Sequence, residues 1–238
     1  MRGYDLGVTR TLVLWDIDYT LLQVGGMSSE VFAEAFRNAT GLAMERLADL
    51  PGKTDRAIIT ETLELHGKAA SSDLVDAFAD ALADGFRARE GMIRASGQLL
   101  PGAAEALQAL AERLDVVQSV LTGNMRPVAE IKLTAFGIDR YVDFGAGAYG
   151  MDGTNRAALV QVSRTRAAAL YGGQFSGAAT VLIGDTPHDV AGALGARARI
   201  IAVASGSSDE AALRAAGAST VLTGLADTSE VVRAILPG

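Results

Sequence analysis

The sequence predicts an α/β fold: a doubly wound parallel sheet with an inserted α-helical cap domain. Three observations predict it. From Pro101 to the end of the chain, short apolar runs alternate with helix-period stretches, the pattern of repeated strand–helix units in a parallel sheet. The first apolar run, Thr11 to Trp15, is unbroken by alternation and so suits a strand covered on both faces. The next strand-like run, Val116 to Leu121, follows only after a long helical stretch, whereas strand-to-helix connections ordinarily take about two to six residues. Something has been inserted. The division that follows is a core from residues 1–22 and 100–238 and a helical cap from residues 23–99.

Within the insertion, Val31, Phe32, Ala35, Phe36 and Ala39 share one helical face between Ser28 and Gly41. A second helix from Thr54 to His66 aligns Ile58, Ile59, Thr62 and Leu63 and stops at Gly67. Ser71 or Ser72 caps a third, with Leu74, Val75, Phe78, Ala81, Leu82 and Phe86 in register. Gly25, Gly26 and Gly97 flank the two crossings, where a hinge would use flexible backbone. In the core, Leu107, Leu110, Ala111 and Leu114 form a helical stripe opened by Pro101. The strand Val116 to Leu121 ends in Thr122, Gly123 and Asn124. A helix over Pro127 to Phe136, a short strand near Tyr141 to Phe144 and a helix over Arg156 to Leu170 come next. Ala179 to Ile183 is a buried-type strand ending in Gly184 and Asp185, and Pro187 opens the helix after it. Ile200 to Val203 and Thr220 to Leu222 are the last strands, followed by helices over Asp209 to Ala216 and Asp227 to Leu236.

Composition narrows the function classes. A net charge of −7, with no dense Lys/Arg stretch, argues against a nucleic-acid groove. There is no cysteine, hence no disulfide and no thiolate metal site. No window approaches the roughly 18 apolar residues of a membrane span, and the first ten residues lack the apolar core of a signal peptide. The expectation is a cytoplasmic protein that engages neither nucleic acid nor membrane, a monomer by default, with a dimer possible.

The chemistry gathers at strand ends, where doubly wound sheets bind their ligands. Asp16 and Asp18 follow the first strand one residue apart, so a period of two turns both carboxylates to one side. Like charges held together need compensation, most simply a divalent cation. Thr122 and Asp185 close two further strands. Lys53, Thr54 and Asp55, between cap helices, either contact a substrate or form a polar loop with Thr54 as helix N-cap.

These residues resemble the motifs of the haloacid dehalogenase superfamily of aspartate-nucleophile phosphohydrolases, including its phosphoglycolate phosphatase-like members with a helical cap. DxDxT matches Asp16, Asp18 and Thr20; the strand-closing Thr matches Thr122; GDxxxD matches Gly184, Asp185 and Asp189. The resemblance implies a Rossmann-like core and a Mg2+-dependent phosphatase acting on a small phosphorylated metabolite. Asp16 would be the nucleophile that forms an aspartyl-phosphate. Asp18 would serve as general acid and then base. The magnesium ligands would be Asp16, the backbone carbonyl of Asp18 and Asp185, with Asp189 one step removed. Thr122 and the backbone amides of Gly123 and Asn124 would bind phosphoryl oxygens, with Thr20 and Lys53 among the substrate-binding residues.

The resemblance is incomplete in two places. The family's phosphate-holding lysine, usually followed by proline, has no direct counterpart. Lys132 and Arg156 are the two candidates, and Lys132 is slightly favoured for its flexible stem. Tyr19 stands where the family commonly has glycine and places a phenol beside the cleft. His188 reads as an exposed residue of a helix's first turn. Asp18 disfavours dehalogenation, since halide leaves without protonation. A sugar phosphomutase shares all four motifs and stays open, as does a non-catalytic phosphoacceptor or binding protein, although phosphoacceptor receiver domains lack a helical insertion.

Overall fold

The computed structural model describes residues 10–236; the segment read for a signal peptide lies almost wholly outside them. Five parallel strands form the main sheet: β1 (Thr11–Trp15), β4 (Val116–Val120), β5 (Thr180–Gly184), β6 (Arg199–Val203) and β7 (Thr220–Leu222). Their spatial order is β4-β1-β5-β6-β7, so β1 and β5 lie at the centre. Strand alternation divides the buried residues into two layers. Val13, Trp15, Val181, Ile183, Ile201 and Val203 pack on one face under α5 (Ala103–Ala111), α6 (Arg126–Ala135) and α10 (Thr228–Ile235). Leu12, Leu14, Leu182, Ile200 and Ala202 pack on the other under α7 (Arg156–Tyr171), α8 (Pro187–Gly195) and α9 (Glu210–Ala215). Covering both faces is what permits the unbroken apolar runs of β1 and β5.

Between β1 and β4 the chain leaves through β2 (Leu22–Gln23) and returns through β3 (Gln98–Leu99), which pair antiparallel. Four helices fill the excursion: α1 (Ser28–Thr40), α2 (Asp55–Leu65), α3 (Ser72–Arg87) and α4 (Glu90–Ser96). The faces read from periodicity are the buried ones. Phe32, Phe36, Ile59, Leu63, Phe78, Leu82 and Phe86 form a separate apolar cluster, which also takes in Met125 and Val128 from the start of α6. Thr54 and Ser71 accept the first-turn amides of Ala57 and Leu74 as N-caps.

Three expectations need correction. Residues Tyr141 to Phe144 are not a strand: two 3-10 turns, Asp139–Tyr141 and Phe144–Ala146, stand there. Asp143 accepts the Gly145 amide at 2.7 Å and turns the chain, so backbone pairing with β4 shrinks to Asp143 N–H on Gln118 and a bridge between Leu121 and Ala148, with the Gln118 and Ser119 side chains donating to the Tyr141 and Asp143 carbonyls. The α5 helix opens after Gly102 and ends at Ala111, so Leu114 lies outside it and is exposed. Gly102 has φ 83°, and a Cβ there would sit 2.0 Å from the Leu225 carbonyl, so the turn needs glycine. Helix α4 went unread because Ile93 is its one buried residue, too few to show a period.

Candidate active site

Asp16 and Asp18 emerge from the carboxyl end of β1 into a tight turn in which Thr20, Leu21 and Leu22 donate their amides to the Ile17 carbonyl. Residue 19 is forced to φ 59°, a left-handed conformation unusual for tyrosine. It is fixed from both sides: the Tyr19 amide donates to Leu22 at 2.7 Å, and its carbonyl accepts the Ser205 hydroxyl at 2.6 Å. The phenol is left 49% exposed at the cavity rim. Gly206 beneath it approaches the Asp185 carboxylate so closely that a Cβ would lie 1.9 Å from Oδ2.

Strand ends bring the predicted residues together. Asp16, Asp18, Thr122, Asn124, Lys132, Arg156 and Asp185 all line one cavity of ≈ 570 Å³, closed on its far side by the helical insertion. The two aspartates of the first motif occupy opposite environments. Asp16 is buried beside Arg156, with Oδ1 and Nη1 3.8 Å apart. Asp18 keeps a side chain 36% exposed and is held by Lys132, whose Nζ donates to its two carboxylate oxygens at 2.7 and 2.8 Å.

Asn124 completes that second group. Its side-chain amide donates to Asp18 Oδ2 at 2.6 Å and to Thr122 Oγ1 at 2.9 Å, while its Oδ1 accepts from Lys132 at 2.9 Å. Both N–H donors and the oxygen of the amide are thus engaged, which fixes its orientation. The sequence singled out Asn124 for its backbone amide; that amide points to Thr122 Oγ1 at 3.2 Å, and the side chain holds the network.

Lys132 and Arg156 therefore divide between the two aspartates. Arg156 is the cation beside Asp16, and Lys132 binds Asp18. Arg156 also pairs with buried Asp189, and its Nε is the one buried side-chain polar atom without a partner among the described residues. Asp189 carries a second duty. It closes a capping box with Thr186 at the start of α8, accepting the Thr186 amide at 3.0 Å. The Thr186-x-x-Asp189 spacing was the visible signal for that role.

Carboxylate oxygens of Asp16, Asp185 and Asp189 lie within 4.8 Å of one another, all buried. Burial raises the Asp16 carboxyl well above the ordinary range; Arg156 opposes this, while Asp189, Asp185 and Asp18 add to it. Asp185 is pushed up to about 7 by burial and by Asp189, against a hydrogen bond from Thr20 at 3.2 Å. One arginine thus faces several sealed carboxyls, and a hard oxygen donor set of this kind fits a divalent cation. Asp16 and Asp185 are the fitting pair, since Asp189 is committed to Arg156 and Thr186. The Asp18 carboxylate stands outside the cluster.

Of the two readings of the loop before α2, the structure shows the polar loop with Thr54 as helix N-cap. Lys53 lines the cavity but pairs with Glu61 at 2.5 Å. Asp55 is buried, and its carboxylate accepts the Met125 amide at 2.7 Å while its own amide donates to the Gly123 carbonyl at 2.7 Å. The insertion is docked there backbone to backbone. A Cβ on Gly123 would fall 2.3 Å from the Lys53 carbonyl, and one on Gly150 1.8 Å from the Gly123 carbonyl. Burial raises the Asp55 carboxyl to about 6, with the Met125 bond and Lys132 opposing. His188 is exposed and packs against Gly52 of the same loop.

A doubly wound α/β core thus gathers an acidic cleft, with Lys132 and Arg156 each against an aspartate, at the carboxyl edge of its sheet. Residues 13–194 match the family model of haloacid dehalogenase-like hydrolases, and the chain belongs to that family. Solved structures share the fold over nearly the whole length. A hydrolase from Pseudomonas syringae superposes with TM-score 0.66 at 19% identity, covering 93% of this chain and 96% of its own. A predicted phosphatase from Clostridium acetobutylicum gives 0.64 at 19%, covering 94% and 99%. A predicted phosphoglycolate phosphatase from Haemophilus somnus 129PT gives 0.60 at 16%, covering 95% and 99%. No curated protein matches the chain. Among the described residues no helix is long and apolar enough to cross a membrane.

Proposed function

We propose that the protein is a Mg2+-dependent phosphatase that hydrolyses a small phosphate monoester through a phosphorylated Asp16, with the helical insertion serving as a cap. The observation that carries this reading is the split between two carboxyls one residue apart: Asp16 sealed beside Arg156, Asp18 open to water and held by Lys132 and Asn124. The contrast suits two roles once a divalent cation joins Asp16 and Asp185: the cation would offset the burial of Asp16 and keep it ionised as the nucleophile, while Asp18, open to water, can exchange protons.

An Asp16 oxygen attacks phosphorus as the bond to the ester oxygen breaks, and Asp18 gives its proton to the departing alkoxide. Asp18 then takes a proton from the water that attacks the acyl phosphate, which releases inorganic phosphate and regenerates Asp16. Lys132 and Asn124 hold Asp18 over the reacting group through both steps. Arg156, with an unpartnered buried Nε and a place in the cavity wall, orients the transferring phosphoryl group. Thr122 lies at the same strand-end level to receive a phosphoryl oxygen. Asp16 and Asp185 would hold a divalent cation, whose positive charge would let the anionic nucleophile meet an anionic ester.

Phosphate release from a panel of small phosphate monoesters, with and without magnesium, tests this on wild type and Asp16→Asn. The expected result is magnesium-dependent release that disappears in the variant. Equal release by both proteins overturns the nucleophile assignment. A wild type that moves phosphate between two hydroxyls of a sugar, without releasing it, selects phosphomutase chemistry instead.

A further inference from the structure

The cavity has two unlike ends. At the sheet edge it is charged, built from Asp16, Asp18, Lys132, Arg156 and Asp185. Beyond that, the wall facing the rest of a bound ester comes largely from the insertion and is apolar: Val24, Phe32, Leu47, Leu50, Ile58 and Phe86. The polar groups on this wall are few, and several are engaged by the protein itself. Lys53 pairs with Glu61 at 2.5 Å, and the Asp55 carboxylate holds the Met125 amide. The Ser28 hydroxyl, the Asp49 carboxylate, the Lys53 N–H groups that Glu61 does not take and, at the rim, the Tyr19 phenol and the Ser207 hydroxyl are what remain.

We infer that the alcohol half of the ester is apolar, a short alkyl or arylalkyl group, and not a polyhydroxylated one; the inference rests on the phosphomonoester reading above. The physical reason is asymmetric. An apolar group entering this space leaves water for Val24, Leu47 and Leu50, half-buried in the wall over the core residues Phe32, Ile58 and Phe86, and loses no hydrogen bond. Sugar hydroxyls in the same place exchange water for aromatic and aliphatic carbon. Each one left without a partner weakens binding by on the order of tenfold. A cavity of ≈ 570 Å³ lies within the range of small-ligand sites, so the phosphoryl group and a chain of several carbons fit together.

The test compares two series of primary-alcohol phosphates: ethyl, propyl, butyl, hexyl and 3-phenylpropyl phosphate against glycerol 3-phosphate, erythritol 4-phosphate and glucose 6-phosphate, whose slightly less basic leaving alkoxides work against the expected order. Phosphate release is followed with magnesium present. The expected result is a kcat/KM that climbs about three- to fourfold per added methylene along the alkyl series. Each polyol ester should fall at least tenfold below the alkyl ester of equal carbon number. Leu47→Gln and Leu50→Gln, both half-buried and lining the cavity, should flatten the climb; a slope unchanged in both variants overturns the assignment of this wall. Polyol esters turned over as well as alkyl ones overturn the inference and leave the phosphatase reading standing. Release from neither series by folded protein, its thermal melt intact, removes the phosphatase reading and this inference with it.

Discussion

Replacing Asp55 by Asn isolates the electrostatic cost of docking the insertion. The carboxyl is buried at the first turn of α2 and titrates at about 6 against an ordinary value of 3.8. At about 1.36 kcal/mol per pH unit, that difference makes the ionised group cost roughly 3 kcal/mol of folding stability. The folded-state value is raised, so the penalty is absent below 3.8, builds between 3.8 and about 6, and is complete above. Asparagine keeps an acceptor for the Met125 amide and cannot ionise. Urea unfolding of both proteins without divalent cation, at pH 5, 6, 7 and 8, measures the gap between them. The Asn variant should gain on wild type by roughly 1.5 kcal/mol between pH 5 and pH 8. Taking the difference cancels the titration of Asp16 and Asp185, common to both proteins. A gap independent of pH, or wild type gaining with pH, would refute the claim that Asp55 is held ionised against its burial.

Three further outcomes follow from the same geometry. Arg156→Met leaves Asp16 and Asp189 buried without their cation and should cost about 3–5 kcal/mol in urea unfolding; a loss below about 1 kcal/mol would mean the guanidinium neutralises neither. Gly123→Ala drives a methyl group toward the Lys53 carbonyl, so stability should fall by about 1–3 kcal/mol and phosphate release should drop with it. An unaltered melting temperature would show that the loop moves aside freely. Magnesium at about 100 times its dissociation constant should stabilise wild type by about 2.7 kcal/mol, visible as a raised melting temperature that Asp185→Asn abolishes.

Much of the fold was legible because its elements are locally consistent. Apolar runs, glycines after helices and Ser or Thr caps pointed the same way, and β1, β4, β5 and helices α1 to α3 stand where their patterns place them. The segment Tyr141 to Phe144 was misread because an apolar run of that length is ambiguous, and the Asp143 side chain decided its path. Site residues at strand ends were readable from spacing, since a parallel sheet gathers those ends. What spacing does not carry is partnership. That Lys132 goes to Asp18 and Arg156 to Asp16 depends on how α6 and α7 sit against the sheet. The burial of Asp55 depends on two glycines, Gly123 and Gly150, far from it in sequence.

The pairing of β2 with β3 places the departure and return of the insertion side by side, Leu22 opposite Leu99 and Gln23 opposite Gln98. To the sheet, the whole helical excursion is topologically no more than the loop of a hairpin. Its length enters the entropy of joining β1 to β4 only logarithmically, a cost the β2–β3 pairing helps to offset. Such a junction lets one part of a gene diverge, lengthen or be exchanged while strand order and the aspartates at the sheet edge stay as they are.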